Sequence, residues 1–349
     1  MAAKDKLKIG ILGASGYTGA DLVRLLAAHP HADLRVLTAN QHAGKPMRDV
    51  YPHLGALDLP ELVTWEEANW SALDVAFCAL PHGTTQEIVA QMPENLKVID
   101  LSADFRLRDP DIYAQWYGHA HRAPALQKEA VYGLTELNRE AVKAARLIAC
   151  PGCYPTAVLL ALMPLVRHGV IDPAHLIVDA KSGVTGAGRK VTQGLLFAEV
   201  GEGTHPYAVG THRHAPEMEQ ELSTVAGGAI TMTFTPHLLP MNRGELVTCY
   251  VKLAAGASAG DLRAALASQY ADEAFVRVLS AGETAATRYV RGSNQAVLSV
   301  FPDRTPGQAI VVGAIDNLVK GSSGQAIQNM NLLCDIPEAT GLLQQPMFP

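Results

Sequence analysis

The sequence predicts an α/β chain in two parts: a doubly wound parallel sheet over residues 1–150, then an α+β unit over 151–316 with a mainly antiparallel sheet. Three observations carry that expectation. Short apolar runs alternate with an amphipathic stretch in the first part, and the first run ends in a glycine-rich turn. Beyond residue 153, apolar runs succeed one another with few helical stretches between them. Strands alternating with helices imply parallel pairing, and strands following strands imply antiparallel pairing.

Taken in order, residues 7–12 (LKIGIL) read as a buried strand, followed by runs at 34–38, 74–80, 97–101 and 146–149. Between the first two, residues 18–28 place Leu22, Leu25 and Leu26 on one helical face. Residues 155–167 (PTAVLLALMPLVR) read as a buried helix with Pro155 in its first turn and a kink at Pro164. Strands are expected at 230–235, 246–253, 296–301 and 309–315, with one helix near 260–270 and a closing helix at 323–333. The 317–349 tail is expected to complete the first domain.

Composition narrows the function. With 349 residues, 48% of them hydrophobic, the chain can bury the cores of two domains. A net charge of -6 without a basic stripe argues against nucleic acid and for a small ligand. No segment has the ~18 uninterrupted apolar residues of a membrane span, and the N-terminus lacks a signal-peptide pattern. Five cysteines, an odd number spread over a long chain, argue against a disulfide scaffold. The expectation is a cytoplasmic protein with reduced thiols.

The turn after the first strand is Gly13-Ala14-Ser15-Gly16-Tyr17-Thr18-Gly19. Glycines there permit a tight turn, and the amides of the following helix can hold a pyrophosphate, which makes the first domain Rossmann-type. An NAD-preferring fold usually ends its second strand in an acid that binds the ribose hydroxyls. Here that strand ends in neutral residues 38–42, with Lys45 close behind, so nothing repels a 2'-phosphate and NADP is favoured.

Cys150 and Cys153, in ACPGCYPT, can be a redox pair, half of a zinc site, or a nucleophile with a bystander. A thioredoxin-type pair sits in a small βαβ domain, not after five strands of a nucleotide fold. Zinc needs two further ligands at recognisable spacing and none is present, so no metal is expected. Cys153 precedes the 155–167 helix, whose amide dipoles favour a thiolate, while Cys150 ends an apolar run as buried filler. A proton partner is available in Thr211-His212-Arg213-His214-Ala215-Pro216-Glu217, which can equally be a solvated loop.

With these residues in place, GASGYTG (13–19), ALPHGTTQ (79–86), DLSADFRL (100–107), PGCYPTA (151–157), SGVTGAGR (182–189), THRHAPE (211–217) and DNLVKGSSGQAIQNMN (316–331) are similar to the N-acetyl-gamma-glutamyl-phosphate reductases. That family belongs to the aspartate-semialdehyde dehydrogenase superfamily, and the resemblance spans nearly the whole chain. It implies reductive dephosphorylation of an acyl phosphate with NADPH, in arginine biosynthesis, by a homo-oligomer that tends to be a tetramer. Carried over, Cys153 is the nucleophile and His212 the base, with His214 close by. Arg106, Lys181, Arg189, Lys190 and Arg213 become substrate-binding cations, though each can instead be a surface ion pair. Cofactor contacts fall to Gly13, Ser15, Gly16, Tyr17, Thr18, Gly19, Lys45, Pro81, His82, Ser182, Gly183 and Asn317. Two rivals stay open: reduction of N-acetyl-aminoadipyl or aspartyl phosphate, and a non-catalytic NADP-binding redox sensor.

Overall fold

The computed structural model describes residues 6–349. They divide into two compact units, one comprising the residues up to Pro151 with Ser322–Leu343, the other Gly152–Gly321 with Gln344–Pro349. The tail from 317 is thus shared: residues 322–343 complete the first unit, while 317–321 and 344–349 pack in the second.

The first unit holds seven strands: β1 (Leu7–Leu12), β2 (Ala32–Thr38), β3 (Leu62–Val63), β4 (Val75–Cys78), β5 (Lys97–Asp100), β6 (Val131–Tyr132) and β7 (Leu147–Ala149). They form one parallel sheet in the order β3-β2-β1-β4-β5-β7-β6. The order reverses between β1 and β4, so a ligand crevice is expected at the carboxyl ends of those two strands. Ile9, Ile11, Val75, Ala76 and Phe77 are wholly buried, which is why these strands are continuous apolar runs without alternation. The helix Tyr17–Leu26 turns Leu22, Val23, Leu25 and Leu26 inward. The edge strands β3 and β6, two residues each, carry no sequence signal and were not anticipated.

The helix Gly324–Leu333 is buried along its whole length despite four amide side chains. Each of those amides is hydrogen-bonded within the unit, although the Gln325 Oε1 has no partner among the described residues. Asn329 donates to the Gly133 carbonyl at 2.9 Å and accepts from the Thr135 hydroxyl at 2.8 Å. Gln328 donates to Glu136 at 2.8 Å, and Asn331 donates to the carbonyls of Glu338 and Thr340 at 2.9 Å each. The polar run QAIQNMN is therefore an interior surface: each buried amide must be hydrogen-bonded, and these are.

The second unit begins with the helix Cys153–Arg167, whose residues from Tyr154 to Val166 are all buried. It runs through Pro164 to Arg167 as one helix. Its seven strands are β8 (Ile171–Gly183), β9 (His205–Pro206), β10 (Thr233–Leu239), β11 (Glu245–Leu253), β12 (Val276–Val278), β13 (Ala296–Pro302) and β14 (Gln308–Ile315). They form a mixed sheet in the order β12-β13-β14-β11-β8-β10-β9, antiparallel except for the β8–β10 and β12–β13 pairs. The mainly antiparallel sheet expected from sequence is present. Its interior member β8, 13 residues long, was not anticipated, because Asp172, Pro173, His175, Asp179 and Lys181 break its apolar pattern. The helix packs on β8, β11 and β14, and the helix Ala215–Ala226 packs beside it.

Asn329→Ala should remove the acceptor of the Thr135 hydroxyl and one of the two amide donors to the Gly133 carbonyl, which keeps Gln325. We expect a loss of about 1–3 kcal/mol in unfolding free energy, read by chemical denaturation, because a buried group left unpaired costs about that much.

Candidate active site

In the first unit the glycine turn is shaped by lack of space. Gly13 has φ +78°, and a Cβ there would overlap the Ala79 carbonyl; at Gly19 a Cβ would lie 2.7 Å from the Ala14 Cα. The loop thus presses against the segment leaving β4. The helix begins at Tyr17 after Gly16, with no side-chain cap and no acid in its first turn. An uncapped helix start in a glycine cradle fits a dinucleotide pyrophosphate. Thr18 is tied to Ser322 at 3.3 Å, and the Tyr51 hydroxyl donates to the Ser15 carbonyl at 3.1 Å. Beyond β2, Lys45 is exposed, and Arg48 on the next turn is a second exposed cation that the sequence reading passed over.

Pro81 and His82 are exposed on the loop after β4. Asp104 fixes that loop, accepting from the Gly83 amide at 2.6 Å, the Thr85 amide at 2.9 Å and the Tyr113 hydroxyl at 3.0 Å. The His82 Nδ1 accepts from the Ala103 amide at 3.0 Å. Asp100, buried next to Asp104, is pushed up to about 7, mainly by desolvation. Arg106, expected to bind substrate, is 6% exposed and donates to the carbonyls of Cys150 at 2.7 Å and Leu101 at 2.9 Å. Those bonds brace the ends of β5 and β7.

In the second unit, Cys153 is the first residue of its helix, after Gly152 at the N-cap. The sequence placed it just before the helix, and either position points the helix dipole at the thiol. Two glycines crowd it. A Cβ on Gly152 would sit 2.5 Å from the His214 Nε2, and one on Gly321 would sit 2.8 Å from the Cys153 Cβ. The Gly152 amide donates to Glu217 at 2.8 Å. The His212 ring lies among Tyr154, Tyr207 and Phe234, with centroids 5.6, 5.5 and 5.4 Å away, and 4.7 Å from the His214 ring. The His214 amide donates to the His212 Nδ1 at 3.1 Å. Neutral His212 therefore carries its proton on Nε2 and presents a donor there. Burial, and then the Arg213 charge, push its value down to about 4.

The remaining expected residues are distributed within this unit. Lys181 on β8 is paired with Asp179 at 2.7 Å, and His237 shares that carboxylate at 3.1 Å. Ser182 and Gly183 are buried at the end of β8, where a Cβ on Gly183 would lie 2.6 Å from the Asn242 carbonyl oxygen. Asn317, 2% exposed, accepts from the Gly244 amide at 2.9 Å and donates to Thr185 at 3.1 Å. Arg189, Lys190 and Arg213 are exposed. Cys150, in the first unit, is 1% exposed, and burial pushes its thiol up to about 12, as suits inert filler. None of the five cysteines is in a disulfide.

A parallel-sheet unit with a glycine cradle and a mixed-sheet unit built around a helix-start cysteine define a semialdehyde dehydrogenase. Residues 8–145 match the semialdehyde dehydrogenase NAD binding domain, and residues 153–317 match the semialdehyde dehydrogenase dimerisation domain. The fold is shared with aspartate semialdehyde dehydrogenase II of Vibrio cholerae (TM-score 0.71, 17% identity, 95% of this chain and 99% of that one). It is shared likewise with the NADP-bound aspartate semialdehyde dehydrogenase of Candida albicans (TM-score 0.68, 19% identity, 95% and 99%). Sequence identity carries further. N-acetyl-gamma-glutamyl-phosphate reductase of Rhodospirillum rubrum is 58% identical over 350 residues, covering 99% of each chain. A probable chloroplastic N-acetyl-gamma-glutamyl-phosphate reductase of Arabidopsis thaliana is 54% identical over 98% of this chain and 86% of its own. The chain belongs to the N-acetyl-gamma-glutamyl-phosphate reductase family.

The depressed His212 has a stability consequence. Its folded-state value of about 4 lies below the ordinary 6.5, so between the two the unfolded chain binds more protons. Its contribution is complete above about pH 6.5 and is lost as pH falls toward 4. The unfolding free energy of wild type relative to His212→Phe should fall by no more than about 3 kcal/mol across that window, measured by urea titration at each pH.

Proposed function

We propose that this chain catalyses the NADPH-dependent reduction of N-acetyl-L-glutamyl 5-phosphate to N-acetyl-L-glutamate 5-semialdehyde, a step of arginine biosynthesis. The observation that carries the reading is Cys153, at a helix start with glycine at Gly152 and Gly321 and a histidine against Gly152. In the first unit the 13–19 turn and the 17–26 helix start would hold the pyrophosphate, with Lys45 and Arg48 the cations nearest the end of β2. NADPH, when bound, supplies the hydride that brings the acyl carbon to the aldehyde level.

The protein's residues do the rest. The Cys153 thiolate forms an S–C bond to the acyl carbon and the C–O bond to phosphate breaks, giving a thioester. We assign the taking of the thiol proton to His214, whose Nε2 lies against the residue preceding Cys153. His212, with its proton on Nε2, suits hydrogen-bond donation to the acyl oxygen as charge develops there. That allocation departs from the base role first expected of His212. After reduction at carbon, collapse of the hemithioacetal breaks the S–C bond and releases the aldehyde. Arg213, Arg189 and Lys190 are exposed cations that we assign to a substrate bearing carboxylate and phosphate, and Lys181 is paired with Asp179. We further propose a cytoplasmic homo-oligomer, a tetramer by family resemblance. Among the described residues no helix is long and apolar enough to cross a membrane.

Cys153→Ser should lower kcat by at least about a thousandfold while Cys150→Ser retains most activity. Equal losses would favour a redox pair over a nucleophile. Turnover of N-acetyl-glutamyl, N-acetyl-aminoadipyl and aspartyl phosphates with NADPH should rank the first highest. A preference for either other acyl phosphate would overturn the substrate assignment.

A further inference from the structure

Glu245 opens β11 immediately after Gly244, and its side chain is wholly buried. Neither carboxyl oxygen has a hydrogen-bond partner of ordinary geometry among the described residues, and the polar side chain they meet is the Cys153 thiol. A buried carboxylate without partners is costly; ordinarily such a group is paired, metal-bound or neutral. Among the described residues, no cation is among the groups that shift it. The other groups acting on it are Asp316, itself wholly buried, and the phenols of Tyr154 and Tyr207, which hydrogen-bond each other at 3.1 Å. Arg243 stands 3.6 Å from Asp316, and Asp316 accepts the amides of Leu318, Val319 and Gly292 at 2.8, 3.1 and 2.6 Å.

We propose that Glu245 is a further catalytic residue of the Cys153 centre, a carboxyl held neutral that donates its hydrogen bond to the Cys153 sulfur whenever that sulfur is ionised. This rests on the reading of Cys153 as nucleophile. A hydrogen bond from a neutral acid to a thiolate favours the charged sulfur twice in the cycle: before attack, and again when the S–C bond breaks and sulfur leaves with the electron pair. The carboxyl keeps its proton at both points, so no proton is gained or lost by the pair. Burial agrees with this state, since desolvation before all else pushes Glu245 up to about 8. A second negative charge so near the thiolate would oppose its formation.

The test is the rate of alkylation of Cys153 by iodoacetamide as a function of pH, followed by peptide mass mapping. It is made in a Cys334→Ser background, because Cys334 is the other thiol with solvent access. Alkylation needs neither cofactor nor substrate, so it is independent of which acyl phosphate is reduced; Cys153→Ser turnover tests the nucleophile reading separately. Glu245→Met should slow alkylation near neutral pH by roughly tenfold to a hundredfold and move the profile to higher pH. Glu245→Gln, which keeps an N–H donor, should stay within about threefold of wild type. Near-UV circular dichroism and thermal melting establish that each variant is folded; a Glu245→Met protein that fails to fold leaves the Gln variant and a Glu245→Thr variant to decide. Unchanged alkylation in Glu245→Met overturns the proposal. Equal slowing in the folded Gln and Met variants overturns the donor role. Faster alkylation in both means that Glu245 is ionised in the native protein, which also overturns it.

Discussion

The second unit depends on one constraint, the complete burial of the helix that begins at Cys153. From Tyr154 to Val166 every residue is buried, and the Leu160 carbonyl accepts the Tyr270 hydroxyl at 2.7 Å. Each fully buried Leu or Val contributes about 1.5–3 kcal/mol to holding that helix on β8, β11 and β14. A helix so anchored cannot slide, and its first residue is fixed with it. The crowding by Gly152 and Gly321 follows, because rings and backbone then close on the thiol from fixed directions. Such placement matters to catalysis, where an error of about 1 Å at the reacting atom can cost a hundredfold in rate.

The first unit meets a different need with different means. A dinucleotide's pyrophosphate is large, charged and solvated, and the unit offers main-chain amides in place of buried charge. Gly13 and Gly19 leave no room for side chains, Gly16 caps nothing, and Asp104 clamps the neighbouring loop through two amides and a phenol. Arg106 belongs to the same economy of main-chain support, holding the carbonyls of Leu101 and Cys150. Its place in a family-like segment suggested a substrate contact, and only its hydrogen bonds reveal the brace.

That contrast explains what could be read in advance. β1, β4 and β5 were legible because both faces are buried and hydrophobicity alone marks them. β8 was not, because only part of it is covered: Ile177 is 50% exposed, and Asp179 and Lys181 pair with each other on its open face. Cys153 was legible since a cysteine before an apolar helix is a local pattern. Glu245 was not. In the string NRGELVTCY it has the appearance of a polar strand end, and the strands that flank it pair it with Ser182 on β8 and Ile315 on β14, residues far away in sequence. The tautomer of His212 was equally hidden, being set by a single main-chain amide.

Around Cys153 the environment acts in opposite directions on two kinds of group. Burial lowers the imidazole of His212 and raises the carboxyl of Glu245, so that each is neutral near pH 7. Glu245 thus meets the sulfur as a neutral hydrogen-bonding group, and His212 stands neutral in the same unit. The consequence is electrostatic. On the proposed reading, the charge of a thiolate formed there faces the helix dipole and a neutral carboxyl donor. When the sulfur leaves, the same donors receive the same charge. A centre that must generate, consume and regenerate one thiolate in each cycle is served better by neutral donors than by a permanent ion pair, because neutral donors need no counter-charge to be rearranged as the thiolate comes and goes.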